Sequence, residues 1–175
     1  MTYLPGRPQP DEFDAGFYGG YVALAGEEDI VAALTAQLEQ TLSALRRVPA
    51  EREGHRYAPE KWTIRQIVGH VADAERVFAY RALVFARGDA NALPGFDEKA
   101  WMEHAGFGNR RLADLLEEFA DLRRANVLML RHLPQDAWMR RGTASGKSIT
   151  VRALAHVMLG HERHHLKVLK ERYGV

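Results

Sequence analysis

The sequence predicts an all-α protein, a four-helix bundle with long connections after its second and third helices. Four long segments carry apolar side chains at the three- and four-residue spacing of an amphipathic helix. Prolines and glycines separate these segments. No segment shows a sustained two-residue alternation, so strands are at most a minor part of the fold. Four amphipathic helices of similar length bury their apolar stripes best by packing on one another.

The first two predicted helices lie in the N-terminal half of the chain. The first covers about 27–48 and ends before Pro49. The second covers about 63–87, and Thr63 and Gln66 at its start have the spacing of a capping box. The inward-facing stripe of this second helix contains Ile67, Val71, Ala74, Phe78 and, at its end, Arg81.

The last two predicted helices lie in the C-terminal half. The third covers about 109–133, with Asn109 as its candidate N-cap. The fourth covers about 150–173, with Thr150 as its candidate N-cap and Gly174 just past its end.

The long connections after the second and third helices each contain a segment with a recognisable pattern. Residues 96–104, after the second helix, are expected to form a short helix. Residues 142–148, after the third helix, resemble a phosphate-binding loop, but three residues separate the two glycines where that motif needs four. We therefore interpret 142–148 as a flexible loop that leads into a helix start.

The composition excludes several classes of function. The 175 residues include no cysteine, which removes disulfides, thiolate metal ligands and a protein thiol nucleophile. The 24 basic and 23 acidic side chains nearly balance, so neither a nucleic-acid nor a membrane partner is indicated. The N-terminus lacks the pattern of a secretory signal, and we expect a cytoplasmic protein. We divide the chain into an N-terminal extension, 1–26, packed on or beside the bundle, and a bundle domain, 27–175.

Histidines are the residues that most clearly indicate chemistry. On a helical wheel of the fourth helix, His161 and His165 fall in the middle of the apolar stripe, with His164 at its edge and His156 on the far side. Residues four apart lie one above the other, so two rings can reach one ion. A tight site needs a third ligand, and His70 on the inner face of the second helix is the best candidate. Three histidines stand singly and are interpreted as surface residues: His55, His104 and His132.

The run from His161 to His165 also matches H-E-x-x-H, the zincin protease signature, in which Glu162 is the general base. Zincins take a third zinc ligand from well downstream, whereas ten residues follow His165 and finish the same helix. We set the protease reading aside and keep Glu162 as a candidate catalytic base. Asp73, three residues after His70, is a candidate for proton transfer or for orienting the His70 ring.

Taken in order, three motifs resemble the DinB-like (YfiT-type) superfamily of damage-inducible, metal-binding four-helix bundles. They are Trp62-Thr63-x-x-Gln66-x-x-x-His70, Ser148-Ile149-Thr150-Val151-Arg152-x-Leu154 and His156-x-x-x-x-His161-Glu162-x-His164-His165. The likeness covers about 27–174. It implies a metal held by three histidines, which match His70, His161 and His165, with the remaining coordination positions open to water or substrate.

The resemblance also implies a function. Characterised relatives use the metal to activate a low-molecular-weight thiol, as bacillithiol S-transferases and mycothiol-dependent maleylpyruvate isomerases do, and many form dimers. We therefore expect a homodimeric, metal-dependent S-transferase that acts on a small molecule. Zinc or nickel is the expected divalent ion, and three imidazoles also allow iron or copper. The alternatives are a metal-dependent hydrolase and a non-enzymatic metal-binding module of a stress response.

Overall fold

The computed structural model describes residues 3–89 and 91–175. Within these ranges the chain forms α1 (Ala15–Ala23), α2 (Ile30–Leu45), α3 (Ile64–Ala86), α4 (Glu98–His104), α5 (Leu112–Arg131), α6 (Val151–Tyr173) and two strands, β1 (Arg141–Ala144) and β2 (Lys147–Thr150). Short 3₁₀ turns lie at Pro10–Glu12, Ala50–Arg52, Phe107–Asn109 and Gln135–Met139. None of the helices in the same ranges combines the length and apolar character that crossing a membrane requires. The predicted all-α, four-helix fold is confirmed.

The bundle consists of α2, α3, α5 and α6. Helix α3 packs on α5 and α6, and α2 packs on the same two helices. Helix α2 therefore lies diagonally across the bundle from α3, and α5 lies diagonally across from α6, with a long connection joining each pair. Helix α1 lies outside the four and packs against α6. A Cβ atom at Gly160 of α6 would lie 1.9 Å from the carbonyl oxygen of Tyr21, so this close approach of the two backbones requires glycine.

The helix ends that matter for the site carry the predicted capping residues. The Thr63 hydroxyl accepts from Gln66 N at 3.2 Å, and the Gln66 side chain accepts from Thr63 N at 2.8 Å, which is a complete capping box. The Thr150 hydroxyl accepts from Ala153 N at 3.0 Å and begins α6. Gly174 ends the same helix in the left-handed region, with φ +65°.

The predicted cap of the third bundle helix is wrong. Asn109 belongs to the 3₁₀ turn at Phe107–Asn109, and α5 begins at Leu112. Its N-cap residue, Arg111, makes no capping bond with its side chain. Instead, the Glu53 carboxylate accepts from Leu112 N at 3.1 Å. An acidic side chain from a distant connection thus satisfies a free N–H group at the start of α5.

The stretch at 142–148 is a β-hairpin and not the flexible loop that its composition predicts. Strands β1 and β2 pair antiparallel, and their two-residue turn is Ser145 and Gly146, with φ +55° and +72°. Leu93 adds a bridge to the hairpin, donating to Thr143 O at 2.8 Å. Because β2 runs directly into α6, the hairpin fixes the start of that helix.

Candidate metal centre and its cavity

Helices α3 and α6 bring three histidine rings together in the bundle. His70 comes from α3, and His161 and His165 come from successive turns of α6. The Nε2 atom of His161 lies 3.1 Å from Nε2 of His70 and 3.2 Å from Nε2 of His165. One ring nitrogen from each residue lies within 4.8 Å of the others. We call these three residues the triad.

Hydrogen bonding alone does not account for this arrangement. A ring nitrogen carries either one hydrogen or one lone pair, so Nε2 of His161 makes one ordinary hydrogen bond and not two. Zinc binds imidazole nitrogen at about 2.0–2.1 Å, and tetrahedral geometry then separates two ligand nitrogens by about 3.3 Å. The distances of 3.1 and 3.2 Å are close to that value. The triad therefore fits a single divalent ion that accepts all three lone pairs.

Burial keeps the three rings in the neutral form that binds metals. His70 is 7% exposed and His161 is 5% exposed. Burial lowers the pKa of His70 to about 4 and that of His165 to about 3. It also holds the pKa of His161 well below its ordinary value, and the neighbouring histidines add to this shift. At neutral pH the three rings are therefore uncharged, and a metal ion can bind them without first displacing the extra proton of an imidazolium.

Aromatic side chains fix the orientation of the triad rings. The Trp62 ring centroid lies 4.9 Å from that of His70. Tyr21 of α1 and Phe78 of α3 pack edge-on against His161 at 5.3 and 5.5 Å. These contacts hold the rings in place.

The triad opens into a cavity of about 290 Å³, which we call the aromatic cavity. Its walls come from α1, α3 with the preceding Trp62, α6, the connection after α3 and the hairpin turn. The polar side chains on these walls, apart from the histidines and tyrosines, are Arg81, Glu98 and Ser145. Its aromatic residues are Phe17, Tyr18, Tyr21, Trp62, Phe78 and Phe96. A space of this size takes a small molecule with an apolar or aromatic body.

A second, more open space of about 790 Å³ is lined by His165 of the triad, and we call it the basic groove. Trp62, His164 and His165 line both spaces. The groove also has three cationic side chains on its walls, those of Arg56, Lys61 and Lys99, and two acidic ones, those of Glu60 and Glu103. The triad therefore borders two spaces of different character, one mostly aromatic and one mostly charged.

The structure does not place Glu162 as the predicted base. Its carboxylate is 1% exposed and is not among the groups that line the aromatic cavity. Oε1 accepts from the Thr41 hydroxyl at 2.5 Å, and Oε2 lies 2.7 Å from Nη1 of Arg123. Arg123 also donates to both carboxylate oxygens of Glu75, at 2.8 and 3.0 Å. We call Glu75, Arg123 and Glu162 the ion cluster, and within it Glu162 neutralises a buried arginine.

Asp73 does not orient His70 in the way we predicted. Its carboxylate accepts from Arg76 at 3.3 Å, one helical turn along α3. His70 faces the other two histidines of the triad. Asp73 instead belongs to a surface ion-pair network in which Arg76 pairs with both Asp73 and Glu118. The carboxylate that does reach the aromatic cavity is Glu98, an exposed residue at the start of α4.

The remaining histidines are exposed or buried as predicted, with one exception. His164 is exposed at the edge of the stripe, and the three single histidines, His55, His104 and His132, are exposed. His156, placed on the far side of α6, is fully buried. The N-terminal residues cover that side of α6, and the Glu27 carbonyl oxygen lies 3.1 Å from Nε2 of His156. A wheel of one helix shows the bundle face but not a segment that packs outside the bundle.

Sequence reasoning missed most of the cavity walls. The extension at 1–26 carries no part of the metal motif, yet Phe17, Tyr18 and Tyr21 of α1 close one side of the site. Glu98 and Ser145 come from connections and had no periodic signal. Arg81 did have a signal, because it is a charged residue at the end of an otherwise apolar stripe.

Comparisons with known proteins agree with this architecture. Residues 33–169 match the model of the DinB superfamily. The fold is similar to YfiT from Bacillus subtilis, described as a probable metal-dependent hydrolase with an unusual four-helix bundle topology (TM-score 0.72, 21% identity, 85% of this chain and 88% of that one). It is also similar to a mycothiol-dependent maleylpyruvate isomerase (TM-score 0.65, 18% identity, 79% of this chain and 59% of that one). No protein of curated function matches significantly. The family match covers most of the chain, and the protein therefore belongs to the DinB superfamily.

Proposed function

We propose that this protein is a metal-dependent S-transferase that joins a low-molecular-weight thiol to a small electrophile. The observation that carries the proposal is the convergence of three neutral imidazole nitrogens, from His70, His161 and His165, between two separate openings. A divalent ion held by these residues would strongly lower the pKa of a thiol bound to it. The descriptions of the two structural neighbours, one metal-dependent and one thiol-dependent, support this chemistry in the same fold.

The two openings favour transfer between two molecules. The aromatic cavity suits the apolar body of an electrophile. The basic groove, in which Arg56, Lys61 and Lys99 outnumber Glu60 and Glu103, suits a polar thiol that carries acidic groups. Bacillithiol and mycothiol are the first candidates, as the family resemblance implies. Hydrolysis needs one organic substrate and water, so it leaves one of the two openings without a role.

The protein's own residues position the reactants and exclude water. The triad rings present lone pairs, and Tyr21 and Phe78 shield His161 from solvent. The thiol loses its proton to solvent through the basic groove, where His164 is exposed. Its sulfur then forms a bond to the electrophilic carbon, and the leaving group departs with the electron pair of the broken bond. The chain has no cysteine, so the sulfur comes from the second molecule.

A direct test offers bacillithiol, mycothiol, glutathione and coenzyme A to the zinc- or nickel-loaded protein with chlorodinitrobenzene. We expect chloride release and a thioether product with at least one thiol. Activity should be lost on chelation and in His161→Ala, and kept in His132→Ala, which removes an exposed histidine. Elemental analysis of untagged protein should show metal in the wild type and in His132→Ala. Metal-loaded protein that conjugates none of the thiols would contradict the transferase proposal.

Metal-dependent hydrolysis is the second candidate. It is favoured by the description of YfiT and by Glu98, an acidic side chain on the wall of the aromatic cavity that can take a proton from water. A panel of esters, amides and lactones tests it, with Glu98→Gln as the variant. Turnover that falls with Glu98→Gln supports hydrolysis, and tight metal binding without turnover on either panel supports a non-enzymatic module.

We also propose, from the family resemblance, that the protein forms a homodimer. Light scattering coupled to size-exclusion chromatography measures the mass in solution. A monomer mass of 19.7 kDa across the working concentrations would contradict the dimer.

A further inference from the structure

The aromatic cavity contains a buried cation that the proposed chemistry does not use. Arg81 is 2% exposed and lines the cavity together with the triad. It follows His70 by eleven residues on α3. At about 100° and 1.5 Å per residue, the two lie on one face of the helix, about 16 Å apart along its axis. The cavity therefore extends from the triad to a guanidinium group.

The neighbours of Arg81 are neutral. Its Nη2 atom donates to Pro94 O at 2.8 Å and to the Ser145 hydroxyl at 3.0 Å, and its guanidinium lies 5.9 Å from the Phe96 ring centroid. Glu98, the carboxylate on the cavity wall, makes no ion pair with it. Burial lowers the pKa of Arg81 from its ordinary value, and Tyr18, the one group that opposes this shift, carries no charge at neutral pH.

Two other arginines, the buried Arg123 and the half-buried Arg152, show how this chain pairs guanidinium groups that lie away from solvent. Arg123 is paired with Glu75 and Glu162, and Arg152 is paired with Glu12. A buried charge without a counter-charge is strongly unfavourable. Among the described residues, no carboxylate lies within ion-pair distance of Arg81, unlike the other two arginines. Arg81 instead lines a cavity large enough for a ligand.

We propose that Arg81 binds the carboxylate of a small substrate whose other end reaches the triad. The inference rests on the proposed function, because it names the substrate class of the same site. The planar guanidinium fork matches the two oxygens of a carboxylate. The walls between Arg81 and the triad include Phe78 and Phe96, so the body of the substrate is aromatic or unsaturated. The substrate class is therefore a small aromatic or unsaturated carboxylic acid.

The hairpin turn positions this arginine. Ser145 holds Nη2 from the turn, and the Leu93 carbonyl accepts from Ser145 N at 3.1 Å. The turn and the connection after α3 thus fix one edge of the guanidinium and leave its other N–H groups for the ligand. The hairpin therefore has a role at the site besides starting α6.

The test measures binding of phenylacetate and its neutral analogue phenylacetamide by calorimetry, with no thiol present. The full chain is used in zinc-loaded and metal-stripped forms, with the variants Arg81→Gln and Arg81→Lys. Arg76→Gln is the matched control, because Arg76 lies on the same helix outside the aromatic cavity, paired with Asp73 and Glu118. Circular dichroism verifies that each variant is folded.

We expect the wild type to prefer the carboxylate by about tenfold or more, the size expected for hydrogen bonds to a charged group. Arg81→Gln should abolish the preference in both metal forms, and Arg76→Gln should keep it. If Arg81→Gln does not fold, Arg81→Lys carries the test, because it keeps the charge, loses the fork and should reduce the preference.

Three results would overturn the proposal. The first is equal binding of the two probes, or no binding, by the wild type. The second is a preference that disappears on metal removal but survives Arg81→Gln, which indicates that the carboxylate binds the metal instead. The third is tighter Arg81-dependent binding of phenyl phosphate, which assigns a phosphate in place of the carboxylate. A failure of thiol conjugation affects none of these readouts, so the two proposals fail independently.

Discussion

Two neighbouring residues of α6, His161 and Glu162, enter two buried polar clusters of different character. In the ion cluster, each charged group lies within ion-pair distance of an opposite charge, and Thr41 donates to Glu162. In the triad, three ring nitrogens crowd one another and hydrogen bonds cannot satisfy all of them. Polar groups that satisfy one another internally stabilise the fold, whereas groups that are left unsatisfied beside a cavity indicate a ligand.

The same contrast separates the arginines. Arg123 is the largest fully buried side chain, and it joins α5 to α3 and α6 through two carboxylates. Arg81 is almost equally buried but faces the aromatic cavity with neutral neighbours. The first arginine is therefore a structural group, and the second is a candidate binding group.

The largest expected effect is the loss of Arg123. Arg123→Met leaves Glu75 and Glu162 buried without a cation, and we expect the free energy of unfolding to fall by about 3–5 kcal/mol. Urea denaturation measures it. The matched control is Arg124→Met, because Arg124 is exposed and pairs with Asp121 one turn away, so its loss should cost less than about 1 kcal/mol. Similar losses in the two variants would contradict the structural role of the ion cluster.

The next effect is the stabilisation of the protein by zinc bound to the triad. Zinc at a free concentration of about one hundred times its dissociation constant should stabilise the wild type by about 2.7 kcal/mol. His161→Ala should abolish this gain, and His132→Ala should keep it. Thermal unfolding with and without zinc measures the gain. The metal assignment fails if zinc stabilises His161→Ala as much as the wild type.

Glu162→Gln separates a structural role from a catalytic one. The amide keeps the shape of the side chain but loses its charge beside Arg123, so we expect a loss of about 2 kcal/mol in the free energy of unfolding. The rate of thiol conjugation by the folded variant should stay within about twofold, whereas loss of a general base costs about 10²–10⁴. A rate loss of that size without a change in stability would restore Glu162 as the base.

The smallest effect, counted per pH unit, is the pH dependence of the metal-free protein. Burial lowers the pKa of His70 to about 4, while an unfolded histidine has a pKa near 6.5. Between these values the unfolded chain binds more protons, so stability falls as the pH drops from about 6.5 towards 4, by about 1.4 kcal/mol per pH unit for one histidine. Urea denaturation at several pH values, with a chelator present, measures the free energy of unfolding. Its slope against pH should be smaller in His70→Asn than in the wild type by this amount. Equal slopes in the two proteins would rule out a neutral, buried His70.

Local patterns in the sequence predicted most of the fold. Helical periodicity identified the four bundle helices, and the spacing of Thr63 with Gln66 identified the capping box that begins α3. The four-residue spacing of His161 and His165 placed both rings on one face of α6. These features depend on residues within one or two helical turns, and a sequence displays such relations directly.

The tertiary structure decided the features that depend on which surfaces meet. Glu53 caps α5 from a distant connection, α1 closes the aromatic cavity, and the N-terminal residues bury His156. The 142–148 stretch pairs with itself as a hairpin, because its four-residue strands are too short to show an alternation. Periodicity gives the face of a helix on which a residue lies, but not the segment that packs against that face.

The three site histidines show what the sequence predicts and what only the tertiary structure decides. The sequence by itself placed His161 beside His165 and put His70 on an inward face, and family resemblance paired the three. The structure brought their Nε2 atoms to 3.1 and 3.2 Å and turned Glu162, the next residue along, towards Arg123. Adjacent helical residues point about 100° apart, so one step along α6 leads from the cavity to the ion cluster. Helix geometry sets that angle, and only the packing of the bundle around α6 decides what each side chain meets.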